Sequence, residues 1–276
     1  VVEGTFQPAG PYRLRLMRPA GRWSAPLPAG GHAVAWQDPS GGVTIRAGNE
    51  SELELARIML ALDDDTDEFH RRFARDPLLG PSARALVGFR PLRLATVAHA
   101  VLRAVCGQLI EASRARAIER SILRAAGSQS PTQTELGAFS PAELRRRGLA
   151  ASRAATVVRL CRSLDLERLR AVPDRWAIAR LRREPGIGPW SCAVIALQGL
   201  GSYGHPLVGD LELMKLAASL RGRWVEPWET EELLAPYGEW QGLAGAVLLA
   251  GWKRGLVAGA DADLARLVRV SERRVV

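Results

Sequence analysis

Residues 181–191 read Leu181-Arg182-Arg183-Glu184-Pro185-Gly186-Ile187-Gly188-Pro189-Trp190-Ser191. A helical pattern that starts near Asp174 and passes through Trp176, Ile178 and Leu181 stops at this Pro-Gly-x-Gly turn, and a new helix opens directly after it. Residues from about 178 to 198 are therefore expected to form two helices joined by a hairpin. Glycines at 186 and 188 let the backbone turn tightly and bring amide N–H groups close to a ligand. Amides at a helix N-terminus suit an anion, and a DNA phosphate fits such a place. A plain helix–turn–helix in any α protein could carry the same four residues, so the motif alone leaves both readings open.

Working outward, Pro206-Leu207-Val208-Gly209-Asp210-Leu211-Glu212-Leu213-Met214-Lys215 follows, with Asp210 placed 22 residues after Gly188. An aspartate between a loop and a helix is by default an N-cap. Hairpin and spaced aspartate together resemble the helix-hairpin-helix DNA glycosylase superfamily, and within it the AlkA-like 3-methyladenine DNA glycosylase branch. The resemblance implies that Asp210 is the catalytic carboxylate and that Pro185, Gly186, Ile187, Gly188 and Ser191 meet DNA. It also implies a monovalent cation, Na+ or K+, on the main-chain carbonyls of Arg182, Glu184 and Ile187, although Glu184 stands where the family usually has an apolar residue. No organic cofactor is implied. Upstream, Cys106-Gly107-Gln108-Leu109-Ile110-Glu111-Ala112-Ser113, then Arg114, Arg116 and Arg120, is similar to the family's Gly-Gln helix break. Gln108 and Leu109 are thereby expected at the DNA, with Leu109 wedged into the gap left by a flipped base. The stretch from Asp63 to Asp76-Pro77-Leu78-Leu79 resembles the acidic helix that follows the family's β domain. Order and spacing match from about residue 63 to 252; the N-terminal part fits by composition only.

Excising a base builds positive charge on the sugar as the N-glycosidic bond breaks. A fixed carboxylate stabilises that charge and can orient water. Relatives that also cut the strand use a lysine amine for a Schiff base. In them it stands at the second position after the hairpin's last glycine, which here is Trp190. Lys215 and Lys253 are the only lysines, and neither occupies that position, so a monofunctional enzyme is expected. The iron–sulfur branch needs four clustered cysteines near the C-terminus, and no cysteine follows Cys192. Trp190 is a core anchor on one reading; on the other it lines a pocket, because a cationic alkylated purine stacks well on a π face. The chain departs from the branch at two pocket positions. Val194 replaces an aromatic four residues after the hairpin tryptophan, and Leu249 replaces a tryptophan nine residues after Trp240. Trp252, one helical turn beyond Leu249, is the candidate to compensate. Excision of a non-alkylated lesion, or DNA binding without excision, are the alternatives.

The 276 residues are 47% hydrophobic, with a formal charge of +9 and a sequence pI near 10.5. A sizeable core is thus available, and the sign of the charge favours a polyanion, here double-stranded DNA. No apolar run approaches the roughly 18–20 residues that cross a bilayer, and the first 30 residues lack the order of a signal peptide. A monomer in the cytoplasm, associated with the nucleoid through its DNA, is the expectation. Cys106, Cys161 and Cys192 are too sparse for a disulfide framework, and His32, His70, His99 and His205 show no metal-ligand spacing.

Fold class is expected to be α+β: a small antiparallel sheet followed by an all-helical body of two lobes. The expected divisions are 1–62 for the β domain, 63–98 plus 225–276 for one helical lobe, and 99–224 for the lobe with the hairpin and the aspartate. In the first part, Tyr12–Leu16, Gly31–Trp36 and Val43–Arg46 alternate as strands, with Asp38–Gly42 as a turn. Residues 51–62 suit a last strand or an edge helix equally. Asp63, Asp64, Asp65 and Asp67 are read as the acidic opening of a helix through Phe69 and Phe73. Ser140-Pro141-Ala142-Glu143 is a capping box, Leu243–Leu249 with Trp252 is helical, and a last helix starts at Asp261.

Overall fold

The computed structural model describes residues 1–108 and 110–260. Leu109 and the helix expected from Asp261 lie outside the described residues. Strands β1 (Val2–Phe6), β2 (Arg22–Pro26), β3 (His32–Gln37) and β4 (Val43–Ala47) form one antiparallel sheet in the order β1-β4-β3-β2. Helix α1 (Leu14–Met17) is a single turn between the first two strands, and α2 (Glu50–Met59) packs on the sheet. Trp23, Ala35, Val43 and Ile45 on the inner face meet Leu53, Ala56 and Leu60 in a core of their own. Asn49 decides the helical reading of residues 51–62, because its side chain caps α2 through the N–H of Glu52 at 3.0 Å.

The alternating run Tyr12–Leu16 is not a strand. The N–H of Leu14 goes to Gln37 Oε1 at 2.9 Å and that of Arg13 to the Gly88 carbonyl at 2.9 Å. With its donors taken by tertiary partners, the segment closes into a turn of helix that buries Leu14 completely. Strands β1 and β2 are the additions the sequence reading lacked. Pro26 at the end of β2 is tolerated because that strand is an edge.

The helical body follows: α3 (Asp67–Phe73), α4 (Gly80–Ala85), α5 (Val97–Gly107), α6 (Ala112–Ala126), α7 (Gln133–Gly137), α8 (Pro141–Arg146), α9 (Ala151–Ser163), α10 (Asp174–Arg182), α11 (Pro189–Ile195), α12 (Leu211–Arg221), α13 (Pro227–Leu234) and α14 (Gln241–Trp252). Helix α5 is buried almost all round, with only Arg103 and Gly107 partly exposed, as an apolar central helix should be. It packs against α6, α9 and α11. The Ser140 capping box forms as expected. The acidic run is divided: α3 begins only at Asp67, while Asp63 pairs with Arg57 and Asp64 with Arg93. Sheet and helices are locked together by Arg90. It is fully buried and donates to the carbonyls of Ala9, Pro11, Ala61 and Leu62. Among the described residues no helix is long and apolar enough to cross a membrane.

Candidate active site

Asp210 is the N-cap of α12, and its Oδ1 accepts from the N–H groups of Glu212 and Leu213 at 3.0 and 3.2 Å. That is ordinary capping. The other carboxylate oxygen does something a cap does not require: Oδ2 accepts from the indole N–H of Trp190 at 2.9 Å. Trp190 is the second residue of α11, so this bond ties the helix leaving the hairpin to the start of α12. The ring reaches its place because residue 107 is glycine; a Cβ there would lie 2.6 Å from the tip of the indole.

Gln108, next in the chain, turns its amide onto the hairpin. Its Nε2 donates to the Gly186 carbonyl at 2.8 Å and to Ser191 Oγ at 2.9 Å. The helix break, the hairpin and the aspartate thus converge around Trp190 and Gln108. Pro185, Gly186 and Gly188 are exposed, whereas Ile187 and Ser191 are buried beneath them. Gly186 has φ +87°, and a Cβ on it would meet Thr156 Oγ1 at 2.5 Å. Space around Gly188 is open, with nothing within 4 Å of where a Cβ would stand. Arg182 and Arg183 are exposed at the foot of the turn.

The turn is held from α9. Arg159 and Thr156 donate to the Pro185 carbonyl at 2.6 and 3.3 Å. Glu184 pairs with Arg180 at 2.5 Å and with Arg159 at 3.5 Å. Its carbonyl accepts the N–H of Ile187 at 3.1 Å and keeps a second lone pair. With the carbonyls of Arg182 and Ile187 it is the donor set that the resemblance implies for a cation.

Val194 is buried on α11, one turn past Trp190. Leu249 and Trp252 are half-buried on α14. Their place follows from helix periodicity. Gly245 packs on Leu207 and Leu213, and the N–H of Gly242 donates to the Tyr203 carbonyl at 2.7 Å. Residues 242, 245, 249 and 252 share one helical face of α14, and Leu249 and Trp252 pack against the main core. Lys215 binds Glu212 at 2.8 Å on α12. Burial pushes the thiols of Cys106 and Cys161 up to about 12 and raises that of Cys192, which leaves all three unsuited to nucleophilic work.

Sequence reading missed Thr156 and Arg159, whose only local signal is a helical face. It also missed Thr230, whose hydroxyl accepts from the N–H of Gly209 at 2.7 Å. None of these is spaced as a motif.

No protein-family model matches the chain. No curated protein matches it either. Solved structures do. The 3-methyladenine DNA glycosylase of Archaeoglobus fulgidus is 18% identical over 92% of this chain and 98% of that one, with a TM-score of 0.72. The 8-oxoguanine glycosylase/lyase of Clostridium acetobutylicum, solved with double-stranded DNA, is 18% identical over 93% and 99%, with a TM-score of 0.68. A DNA-3-methyladenine glycosidase of Bacillus halodurans is 18% identical over 67% and 90%, at 0.52. The likeness is divided between the alkylated-base and oxidised-base enzymes and does not single out the branch the sequence suggested. The chain has the fold of the helix-hairpin-helix DNA glycosylases.

Proposed function

We propose that this chain is a monofunctional DNA glycosylase that turns a damaged base out of duplex DNA and hydrolyses its N-glycosidic bond in base excision repair. The observation that carries the reading is the carboxylate of Asp210, fixed on both oxygens beside an exposed hairpin. Two helix N–H groups and one indole N–H orient it before any substrate arrives. A preoriented charge of this kind stabilises positive charge growing on a sugar without reorganising at the moment of reaction. The carboxylate also has lone pairs left to align the attacking water. Exposed glycines of the hairpin take a phosphate, flanking arginines add charge, and Leu109 fills the vacated place in the stack. Extrusion of the base costs about a few kcal/mol, which these contacts offset. The protein works on double-stranded DNA as a monomer in the cytoplasm, with a monovalent cation at the hairpin carbonyls.

An alkylated purine is the favoured substrate, since the half-buried Trp190 offers a π face to a cationic base. One observation supports a second reading, an oxidised purine. Val194 and Leu249 stand where the alkylation branch has aromatics, and the likeness to the 8-oxoguanine enzyme spans 93% of the chain. Base release from duplexes carrying either lesion tests the choice: faster loss of the alkylated purine is expected, and the reverse order favours the second reading. Borohydride added to the same reactions should trap no covalent complex, because the position of the lyase lysine is Trp190. A trapped complex would sink the monofunctional reading.

A further inference from the structure

The loop from Gly201 to Gly209 delivers Asp210, and its first residues rest on a polar cluster that the site described above does not use. Asp64 Oδ2 accepts from the Tyr203 hydroxyl at 2.5 Å and pairs with Arg93. The Asp64 and Arg93 side chains are only 16% and 11% exposed. Arg93 also donates to the carbonyls of Gly201 at 3.4 Å and Ile58 at 3.5 Å. Its guanidinium lies so close to the α-carbon of Gly201 that no Cβ could be accommodated there. The Tyr203 ring stacks on Trp240, with centroids 6.1 Å apart and 26° between planes. Burial, reinforced by the charge of Asp64, raises the Tyr203 phenol far above its ordinary range, so it remains a donor.

At its far end the loop is held again, where the Gly209 N–H meets Thr230 and buried Leu207 packs on Gly245. Within the loop the Asp210 N–H donates to the Leu207 carbonyl at 3.1 Å, and along its length Ser202 and His205 bond Asp174 at 2.8 and 2.7 Å while the Tyr203 carbonyl accepts from the Gly242 N–H at 2.7 Å. These anchors, with the Asp64–Arg93–Tyr203 cluster at the start and Thr230 at the end, set where Asp210 starts α12 and how its carboxylate meets Trp190. Constellations of this kind must be held to within about 0.5 Å by their supporting contacts.

We propose that Asp64, Arg93 and Tyr203 are positioning residues for Asp210, transmitting the placement of the segment after α2 to the carboxylate through the 201–210 loop. The kinetic part of this rests on the glycosylase reading; the placement of the carboxylate does not. The test uses the full chain, 15N-labelled, with Tyr203→Phe and Asp64→Asn. The indole N–H resonance of Trp190 is identified by its disappearance in Trp190→Phe, and its position without the carboxylate is set by Asp210→Ala. In Tyr203→Phe the resonance should move toward that second position. Single-turnover base release should fall about tenfold, the loss expected of one hydrogen bond to a charged group, with DNA affinity within about twofold. Asp64→Asn, which keeps one acceptor, should fall between Tyr203→Phe and Asp64→Ala in both measurements. A resonance unmoved in Tyr203→Phe overturns the proposal, whatever happens to rate or thermal midpoint. So does a moved resonance with an unchanged rate in an active enzyme. If the wild type releases no base, the glycosylase reading fails while the resonance still decides the placement.

Discussion

Two loops meet at Trp190, and they are held in different ways. The hairpin at 185–188 is held by Thr156 and Arg159 of α9, by Gln108, and by Glu184 within its own turn. The loop at 201–209 is held by Asp64 and Arg93 at its start, by Asp174 and Gly242 along its length, and by Thr230 at its end. The hairpin's turn requires a glycine at 186, with φ +87°, and on the glycosylase reading it grips the DNA. The loop takes its shape from the segments it is tied to, and on the same reading it delivers the carboxylate. If that division is right, changes in the hairpin should alter how tightly DNA is held, and changes around the loop should alter how fast bound DNA reacts.

Trp190 belongs to the hairpin by position and to the loop by its hydrogen bond, so it is the sharpest probe of the division. Trp190→Phe keeps most of the ring and removes the donor to Asp210. It should slow single-turnover release at saturating DNA by about 10- to 100-fold, the range for a hydrogen bond to a charged group, with the dissociation constant nearly unchanged. A loss confined to affinity would erase the distinction. Gly186→Ala should do the opposite. With φ at +87° and Thr156 in the way, the added methyl strains the turn by roughly 1–3 kcal/mol. DNA affinity should weaken by about tenfold, while the rate at saturation holds.

How far the sequence could be read follows the same line. The hairpin was legible because a Pro-Gly-x-Gly break and a proline-led helix are local signals, and Asp210 because a cap is local too. The capping box at Ser140 and the Gly107-Gln108 break were legible for the same reason. Tyr12–Leu16 misled because alternation over five residues suits a half-buried strand and a single helical turn alike; only Gln37 and Gly88, distant in the chain, decide between them. By sequence Asp64 reads as a charge at a helix start, but its partners Arg93 and Tyr203 lie 29 and 139 residues away. No periodicity could have joined them. What a short segment does alone was visible; what distant segments do to one another was not.

Two smaller effects sharpen the comparison. Thr230→Val leaves the N–H of Gly209 without its partner, so stability should fall by about 1–3 kcal/mol in chemical denaturation, and release should slow with affinity retained. Arg183→Ala should lower the slope of log affinity against log salt by about one, the share of one phosphate contact on duplex DNA. It should leave the rate at saturation alone. An unchanged slope would remove Arg183 from the DNA-facing surface.

The central claim is that Asp210 acts on the glycosidic bond rather than merely capping α12. Single-turnover base release from methylated duplex DNA, measured for wild type and Asp210→Asn at saturating enzyme, tests it most directly. Asparagine can still accept from the helix N–H groups, so the fold and the affinity for DNA should be kept. The account predicts release by the wild type that falls at least about a hundredfold in the variant. Equal release by both proteins would contradict it.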